Sequence, residues 1–446
     1  MRFIDLFAGL GGFHIGLSRL GHECVFSSEI KESLAQLYEA NFGIKPHRDI
    51  RTIKTADIPA HDTLCAGFPC QPFSKAGRQK GLKDEDNGNL FHEILRILKH
   101  HKPKHFILEN VQNLANHDNQ ETYKFMYAEL TKLRYEVNGE ILSPHDYGIP
   151  QHRQRLFIVG ARKDIGIGHF SWPEKLDLEP SVHNFLLPAA NATPLEAEKV
   201  RCLDIWQELV DRIPTDEKLP SFPIWAMEFG ATYPFEDTTP FVSSSSTLGK
   251  YHGNFGIPLE GMDREEKFLN LPAYARTEQE LFPTWKRHYI RSNRAFYEQH
   301  KARIAPIVKK IEELGLPSWQ KFEWNIQGGD RNVRHYIIQF RGSGIRLKRP
   351  DFFPSLVCNT TQIPIIGWQQ RYITRQEGAM LQNMQELRHL PENTAACFDA
   401  LGNAVNAKIV ELIARQLLDA QPASHIIIPE LASVALHAKA PISKTA

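Results

Sequence analysis

Between residues 67 and 74 the chain reads Gly67-Phe68-Pro69-Cys70-Gln71-Pro72-Phe73-Ser74, a lone thiol bracketed by two prolines. Each proline fixes φ and withdraws a backbone donor, so Cys70 belongs to a stiff loop end, not to the inside of an element. A short apolar run, Thr63-Leu64-Cys65-Ala66, leads into it as a strand would. A thiol presented rigidly at the carboxyl end of a strand suits a nucleophile. The commoner fate of a cysteine is a buried structural one, but a proline-bracketed site followed by Gln and Ser is poor core material.

Two further groups carry chemistry that fits beside a nucleophile. Glu109-Asn110-Val111 ends the apolar run Phe106-Ile107-Leu108, a strand expected next to the Cys70 strand. A carboxyl screened from water there has a raised pKa and can donate a proton at neutral pH, unless it merely caps the next helix. Gln151-His152-Arg153-Gln154-Arg155 precedes the apolar strand Leu156 to Gly160. Alternation puts Arg153 and Arg155 on one face, one to hold a carboxylate or base oxygen and the other a phosphate.

A third set reads as a nucleotide-like pocket. Asp5-Leu6-Phe7-Ala8-Gly9-Leu10-Gly11-Gly12 is a strand, a glycine turn and a helix start. Glycines there let backbone approach a ligand, and a helix start offers free N–H groups. The third glycine of a dinucleotide fingerprint is replaced by His14, which weakens a nicotinamide reading. Glu29, ending the next strand, is placed to accept from ribose hydroxyls, and Asp49, ending a third, from an adenine amino group. Gly402-Asn403-Ala404-Val405 is expected to open a helix that returns to this pocket.

The elements that must position these residues alternate strand and helix over the first 165 or so residues. That alternation predicts an α/β fold with a parallel, doubly wound sheet, whose ligands sit at the carboxyl ends of the strands. From about Trp172 to Gln370 the alternation is lost, and one helix near Ile290 to Leu314 stands out. The expected organisation is a catalytic and cofactor domain over 1–171 and a second, irregular domain over 172–370. A returning segment over 371–420 and a tail over 421–446 complete it.

At 446 residues, 42% hydrophobic and 24% charged, the chain reads as a two-domain soluble protein. Six scattered cysteines lack zinc spacings, and no apolar stretch approaches the roughly 20 residues of a membrane span. A cytoplasmic enzyme without a metal is the expectation. The net charge of +1 hides an imbalance. Glu174 to Phe282 carries roughly two acids per base, and Trp285 to Arg349 roughly three bases per acid. The second stretch, with Arg331 and Arg334 among its cations and Tyr289, Phe296, Tyr297 and Tyr336 interleaved, is expected to face the phosphates of a polyanion.

Taken in order, these segments, with Arg371 to Glu377 and Leu381-Gln382, resemble the prokaryotic cytosine-5 DNA methyltransferases of restriction-modification type. The resemblance implies a Rossmann-like, S-adenosyl-L-methionine-dependent methyltransferase sheet with a target-recognition domain over the unassigned middle. It implies that S-adenosyl-L-methionine is held by Phe7, Ala8, Gly9, Leu10, Gly11, Gly12, Glu29, Ile30, Asp49, Ile50, Pro69, Asn403 and Val405. A cytosine flipped out of double-stranded DNA would be attacked at C6 by the Cys70 thiolate, with Arg153 and Arg155 making the surroundings electropositive. Glu109 would serve N3 and the exocyclic amine, Arg155 would contact O2, and Gln71, Ser74 and Gln151 would meet the DNA. A monomer is implied, with a cognate restriction endonuclease acting separately. His47-Arg48 stands where a glycine is more typical, and Ala404 where a serine is common. A dehydrogenase is disfavoured by His14, and a catalytically dead DNA-binding protein by the intact Cys70, Glu109 and Arg155. An amino-directed DNA methylase is disfavoured by the lack of an Asp/Asn-Pro-Pro-aromatic loop. A tRNA cytosine-5 methyltransferase shares fold and mechanism and stays as the alternative.

Overall fold

A computed structural model describes residues 1–69, 90–178, 180–188, 192–356 and 362–418. The first unit is built on a six-stranded sheet in the order β2-β1-β3-β4-β7-β5. Its strands are β1 (Arg2–Leu6), β2 (Glu23–Ser28), β3 (Thr63–Gly67), β4 (His105–Val111), β5 (Tyr135–Leu142) and β7 (Arg155–Arg162), with the short β6 (Gln151–His152) set apart from it. Period-2 alternation sends Ile4, Leu6, Leu64, Phe106, Leu108 and Ile158 to one face, against the Leu90–His101 and Glu121–Lys132 helices. The complementary set, Phe3, Cys65, Ile107, Phe157 and Val159, packs against the Gly12–Ser18 and Ala407–Leu418 helices. The result is three layers, with the last described helix completing the core of the first unit.

Three expectations need correction. The sheet is not all parallel: β7 runs antiparallel to both β4 and β5. Only twelve residues separate β5 from β7, and they are used by a 3-10 turn at Pro144–Tyr147 and by β6, so no helical crossover fits. Asp49-Ile50 does not end a strand. The only pairing there is a parallel bridge between Ser28 and His47, and Asp49 instead caps a 3-10 turn over Ile50–Thr52. Gly402 to Val405 does not open a helix but closes the Thr394–Asn403 one, before Ala407–Leu418 begins.

The middle of the chain is also more regular than its sequence suggests. It holds a 16-residue helix, Ala197–Arg212, and a 29-residue helix, Thr284–Glu312. A second six-stranded sheet runs β14-β13-β10-β11-β9-β8. Its members are β8 (Ile224–Trp225), β9 (Lys321–Glu323), β10 (Ile337–Arg341), β11 (Gly344–Lys348), β13 (Ile365–Ile366) and β14 (Arg371–Tyr372). Strands of two to five residues are too short for a readable hydrophobic period, and Trp206, Ile304, Ile307, Phe322 and Ile338 make their core only after folding. The units meet where β12 (Phe353–Pro354) pairs with β6 and where Leu10, Ile149, Ile337, Phe353, Ile366, Leu381 and Leu401 share one cluster. Among the described residues no helix is long and apolar enough to cross a membrane.

Candidate active site

The order β2-β1-β3 makes the end of β1 the point where the chain switches from building one side of the sheet to the other, the place where a crevice opens. After Leu6 the backbone turns through three left-handed residues, Phe7 (φ 59), Gly9 (φ 54) and Gly11 (φ 82), before the Gly12–Ser18 helix. Glu29 at the end of β2 clamps this turn. Its Oε2 accepts from the Gly9 N–H at 2.9 Å and its Oε1 from the Lys31 N–H at 2.8 Å. Among the described residues, a Cβ placed on Gly9 would meet only the Phe7 carbonyl, at 4.0 Å. Beside it Ile30 is 57% exposed, an unusual state for a side chain of that size, and the Arg48 guanidinium donates to the Ile30 carbonyl. An open glycine cradle, an acid at its rim and a bare apolar face fit the adenosine end of S-adenosyl-L-methionine.

The other residues expected at this pocket do different work. Ala8, Leu10 and Ile50 are buried, Leu10 in the junction core and Ile50 in the core of the first sheet. Gly12 is a packing glycine, since a Cβ there would lie 2.2 Å from the Val405 carbonyl oxygen. Val405 also lies over Gly67 at the end of β3, where a Cβ would come within 2.9 Å of its Cγ2. Asp49 binds the Arg51 guanidinium at 2.8 Å, which holds its carboxyl below the usual range. The Asn403 amide donates to the Asp399 carbonyl.

Beneath the turn lies a group that motif reading passed over. Asp5 is fully buried, and burial pushes its carboxyl well above the ordinary value. The Tyr38 hydroxyl sits 3.3 Å from its Oδ2 and 2.8 Å from His14 Nδ1, and burial lowers His14 to about 4. An aspartate followed by a glycine turn was the only available signal, and it does not distinguish a buried acid from a ligand.

Across the crevice, β3 and β4 pair in parallel with Gly67 opposite Glu109, so Glu109 stands at the same edge as the chain leading through Phe68 and Pro69. Asn110 holds that exit by donating its amide N–H to the Phe68 carbonyl at 3.2 Å. Because β7 is antiparallel, its first residue lies at this edge too, and Arg155 pairs with Val111. The Arg155 Nε sits 3.1 Å from Glu109 Oε1. Glu109 is only 7% exposed. Burial raises its carboxyl, against the lowering pull of Arg155 and then Arg153. The balance favours a carboxyl that keeps its proton longer than usual and is aimed by one arginine.

Arg153 does not share a face with Arg155. It falls between β6 and β7, is 1% exposed, and donates from one terminal nitrogen to the Gly402 and Ala404 carbonyls at 2.8 and 2.9 Å. Gln151 is fully buried, with its amide oxygen accepting from Gln382 at 3.2 Å. Cys70, Gln71 and Ser74 lie outside the described residues. Arg331 and Arg334 are engaged within the second unit, Arg331 on the Ile213 and Glu217 carbonyls and Arg334 on Asp204. Among the described residues no group of three or more His, Cys, Asp or Glu is placed to hold a metal ion.

Residues 1–419 match a family model described as C-5 cytosine-specific DNA methylase. The type II methyltransferase M.AluI of Cellulosimicrobium cellulans is 30% identical over 96% of this chain and 95% of its own length. M.HhaI of Haemophilus parahaemolyticus is 42% identical over 49% of this chain and 67% of its own length. For M.BsuFI of Bacillus subtilis the match is 47% identical but spans only 39% of this chain and 42% of that protein. Among solved structures, a prophage-encoded E. coli protein described as a DNA modification methyltransferase superposes with a TM-score of 0.52 at 17% identity. That match covers 94% of this chain and all of the other, a likeness of fold.

Proposed function

This chain belongs to the C-5 cytosine-specific DNA methylase family, and we propose that it methylates C5 of a cytosine in duplex DNA as a restriction-modification methyltransferase. The observation that carries the reading is the pairing of β3 with β4. It sets a buried, proton-retaining Glu109 level with Gly67, three residues before Cys70, and aims it with Arg155.

A cytosine inside a duplex is out of reach of such an edge, so the base is swung into the crevice at a cost of a few kcal/mol. The Cys70 sulfur then forms a bond to C6, and the displaced electron pair is delivered toward C5. Glu109 gives its proton to N3, so negative charge does not build up on the ring. Arg155 keeps Glu109 oriented and lies within reach of the cytosine O2. S-adenosyl-L-methionine, when bound, would supply the electrophilic methyl group and would be held by the Phe7 to Gly11 turn, Glu29 and Ile30. Once C5 is methylated, its proton passes to a water molecule, the electron pair left behind restores the C5–C6 double bond and expels Cys70 as thiolate, and the N3 proton returns to Glu109. Arg153 serves by fixing the Gly402 to Val405 segment against the glycine turn.

The test is covalent capture. Duplex DNA carrying 5-fluorocytosine should form a denaturation-resistant adduct with the wild-type chain in the presence of S-adenosyl-L-methionine. Cys70→Ala should form none, and an adduct that persists in that variant removes Cys70 from the reaction. Transfer of label from the cofactor to tRNA and not to duplex DNA would move the substrate to the alternative class.

A further inference from the structure

The second sheet has two unlike faces, and its register fixes both. Ile338 and Phe340 of β10, Ile345 and Leu347 of β11, Phe322 of β9 and Ile224 of β8 point into the core beneath the two long helices. On the other face, Gln339 lies opposite Arg346 and Arg341 opposite Gly344. Arg346 lies beside Glu323, and Lys321 opposite Trp225. Alternation brings Lys348 to the same side. That face therefore carries Lys321, Arg341, Arg346 and Lys348 against one carboxylate, Glu323. Arg346 and Arg341 share Glu323, at 2.5 and 3.6 Å.

The two lysine ammonium groups have no hydrogen bond or ion pair among the described residues. Aromatic rings stand where counter-charges would be expected. The Lys321 ammonium lies 5.0 Å from the Tyr274 ring centre and 5.7 Å from that of Trp225, and Lys348 lies 5.0 Å from that of Phe352. Half-buried ammonium groups without an anion are costly to hold, and desolvation lowers both lysines. The row does not stop at Phe352. Its ring meets His152 edge-on at 4.0 Å, and His152 stacks on His145 at 4.2 Å. His152 belongs to β6, which pairs with β12 beside Phe352 and leads directly to Arg155 at the catalytic edge.

We infer that this face of the second sheet is a phosphate track, with Lys321 and Lys348 each meeting a backbone phosphate of the duplex whose cytosine enters the Glu109 edge. The inference rests on the DNA reading above. It also moves the phosphate contacts away from Arg331, which donates to the Ile213 and Glu217 carbonyls, and Arg334, which pairs with Asp204. Trp225, Tyr274 and Phe352 shield the lysines from water while leaving their charge uncompensated, so that a polyanion gains the most by arriving there.

The experiment is fluorescence anisotropy of a labelled random-sequence duplex with the full chain over a series of KCl concentrations. The log–log slope should shrink by about 0.9 for each lysine neutralised, in Lys321→Gln, Lys348→Gln and the double variant. Lys321→Arg and Lys348→Arg should keep the wild-type slope, which separates lost charge from lost folding. Lys310→Gln, whose ammonium pairs with Glu208 on the helical side, should also keep it. An unchanged slope in a folded double variant overturns the track. So does a slope lost with Arg331→Gln and Arg334→Gln instead. Binding of duplex RNA but not DNA, with the same lysine dependence, keeps the track and overturns the DNA reading. A wild-type chain that binds neither overturns both.

Discussion

Each ionisable group of consequence in the first sheet stands at a strand end, sealed from water, with a partner or two: Glu109 with Arg155, Asp5 with Tyr38. The second unit is crowded with charge, some of it paired across long sequence separations. Arg291 binds Glu236, Arg294 binds the fully buried Glu228, Arg334 binds Asp204 and Lys310 binds Glu208. In each of these pairs a cation of the basic stretch meets an acid of the acidic one. These pairs cancel part of the charge imbalance in space, while Lys321 and Lys348, on one sheet face, have no carboxylate partner among the described residues. A strand-end motif carries its meaning in a few adjacent residues. A charge run acquires its meaning only from whatever the fold sets opposite it.

The sharpest way to break this contrast is at Glu109. Glu109→Gln should lower kcat by about 10²–10⁴ while leaving duplex affinity within a few-fold. A loss under tenfold would mean the sealed carboxyl is not the acid. The same variant tests the direction of the raised pKa. A carboxyl that holds its proton more tightly folded than unfolded stabilises at low pH, and that contribution is lost as pH rises through the folded pKa. Wild type should thus lose stability relative to Glu109→Gln as pH climbs from the ordinary carboxylate range upward, and parallel melting curves would contradict it.

At the border between the units, Arg371 and Glu377 form a bidentate pair that is almost wholly buried, at 3% and 1% side-chain exposure. Arg371→Ala strands the Glu377 charge and should cost about 3–5 kcal/mol in urea unfolding. A cost below about 1 kcal/mol would place this pair among the surface bridges. Gly12→Ala tests packing alone. With the Val405 carbonyl 2.2 Å from the new Cβ, it should lower stability by about 1–3 kcal/mol and weaken cofactor affinity measured by calorimetry. Arg334→Gln should do least, about 0–1 kcal/mol, because its Asp204 partner is more than half exposed. A larger loss there would show that the second unit depends on its ion pairs individually.

How far the sequence could be read follows the same division. The turn from Phe7 to Gly11 and the Glu109 edge were legible because strand, turn and acid are contiguous. Arg153 was misplaced because alternation assumes one unbroken strand, whereas the ladder breaks between β6 and β7 and turns that side chain toward Gly402 and Ala404. The second sheet was illegible because its strands run two to five residues and pair with strands nearly a hundred residues away, as Trp225 does with Lys321. The cationic face could not be seen either, since Lys321 and Lys348 look no different in sequence from Lys310.

The contacts of Gly12 with Val405 and Gly16 with Val410 join positions almost four hundred residues apart in the sequence. Until a segment so remote in sequence has docked, the glycine turn lacks the neighbour that Val405 and the Ala407–Leu418 helix provide, so the two ends of this unit must order together.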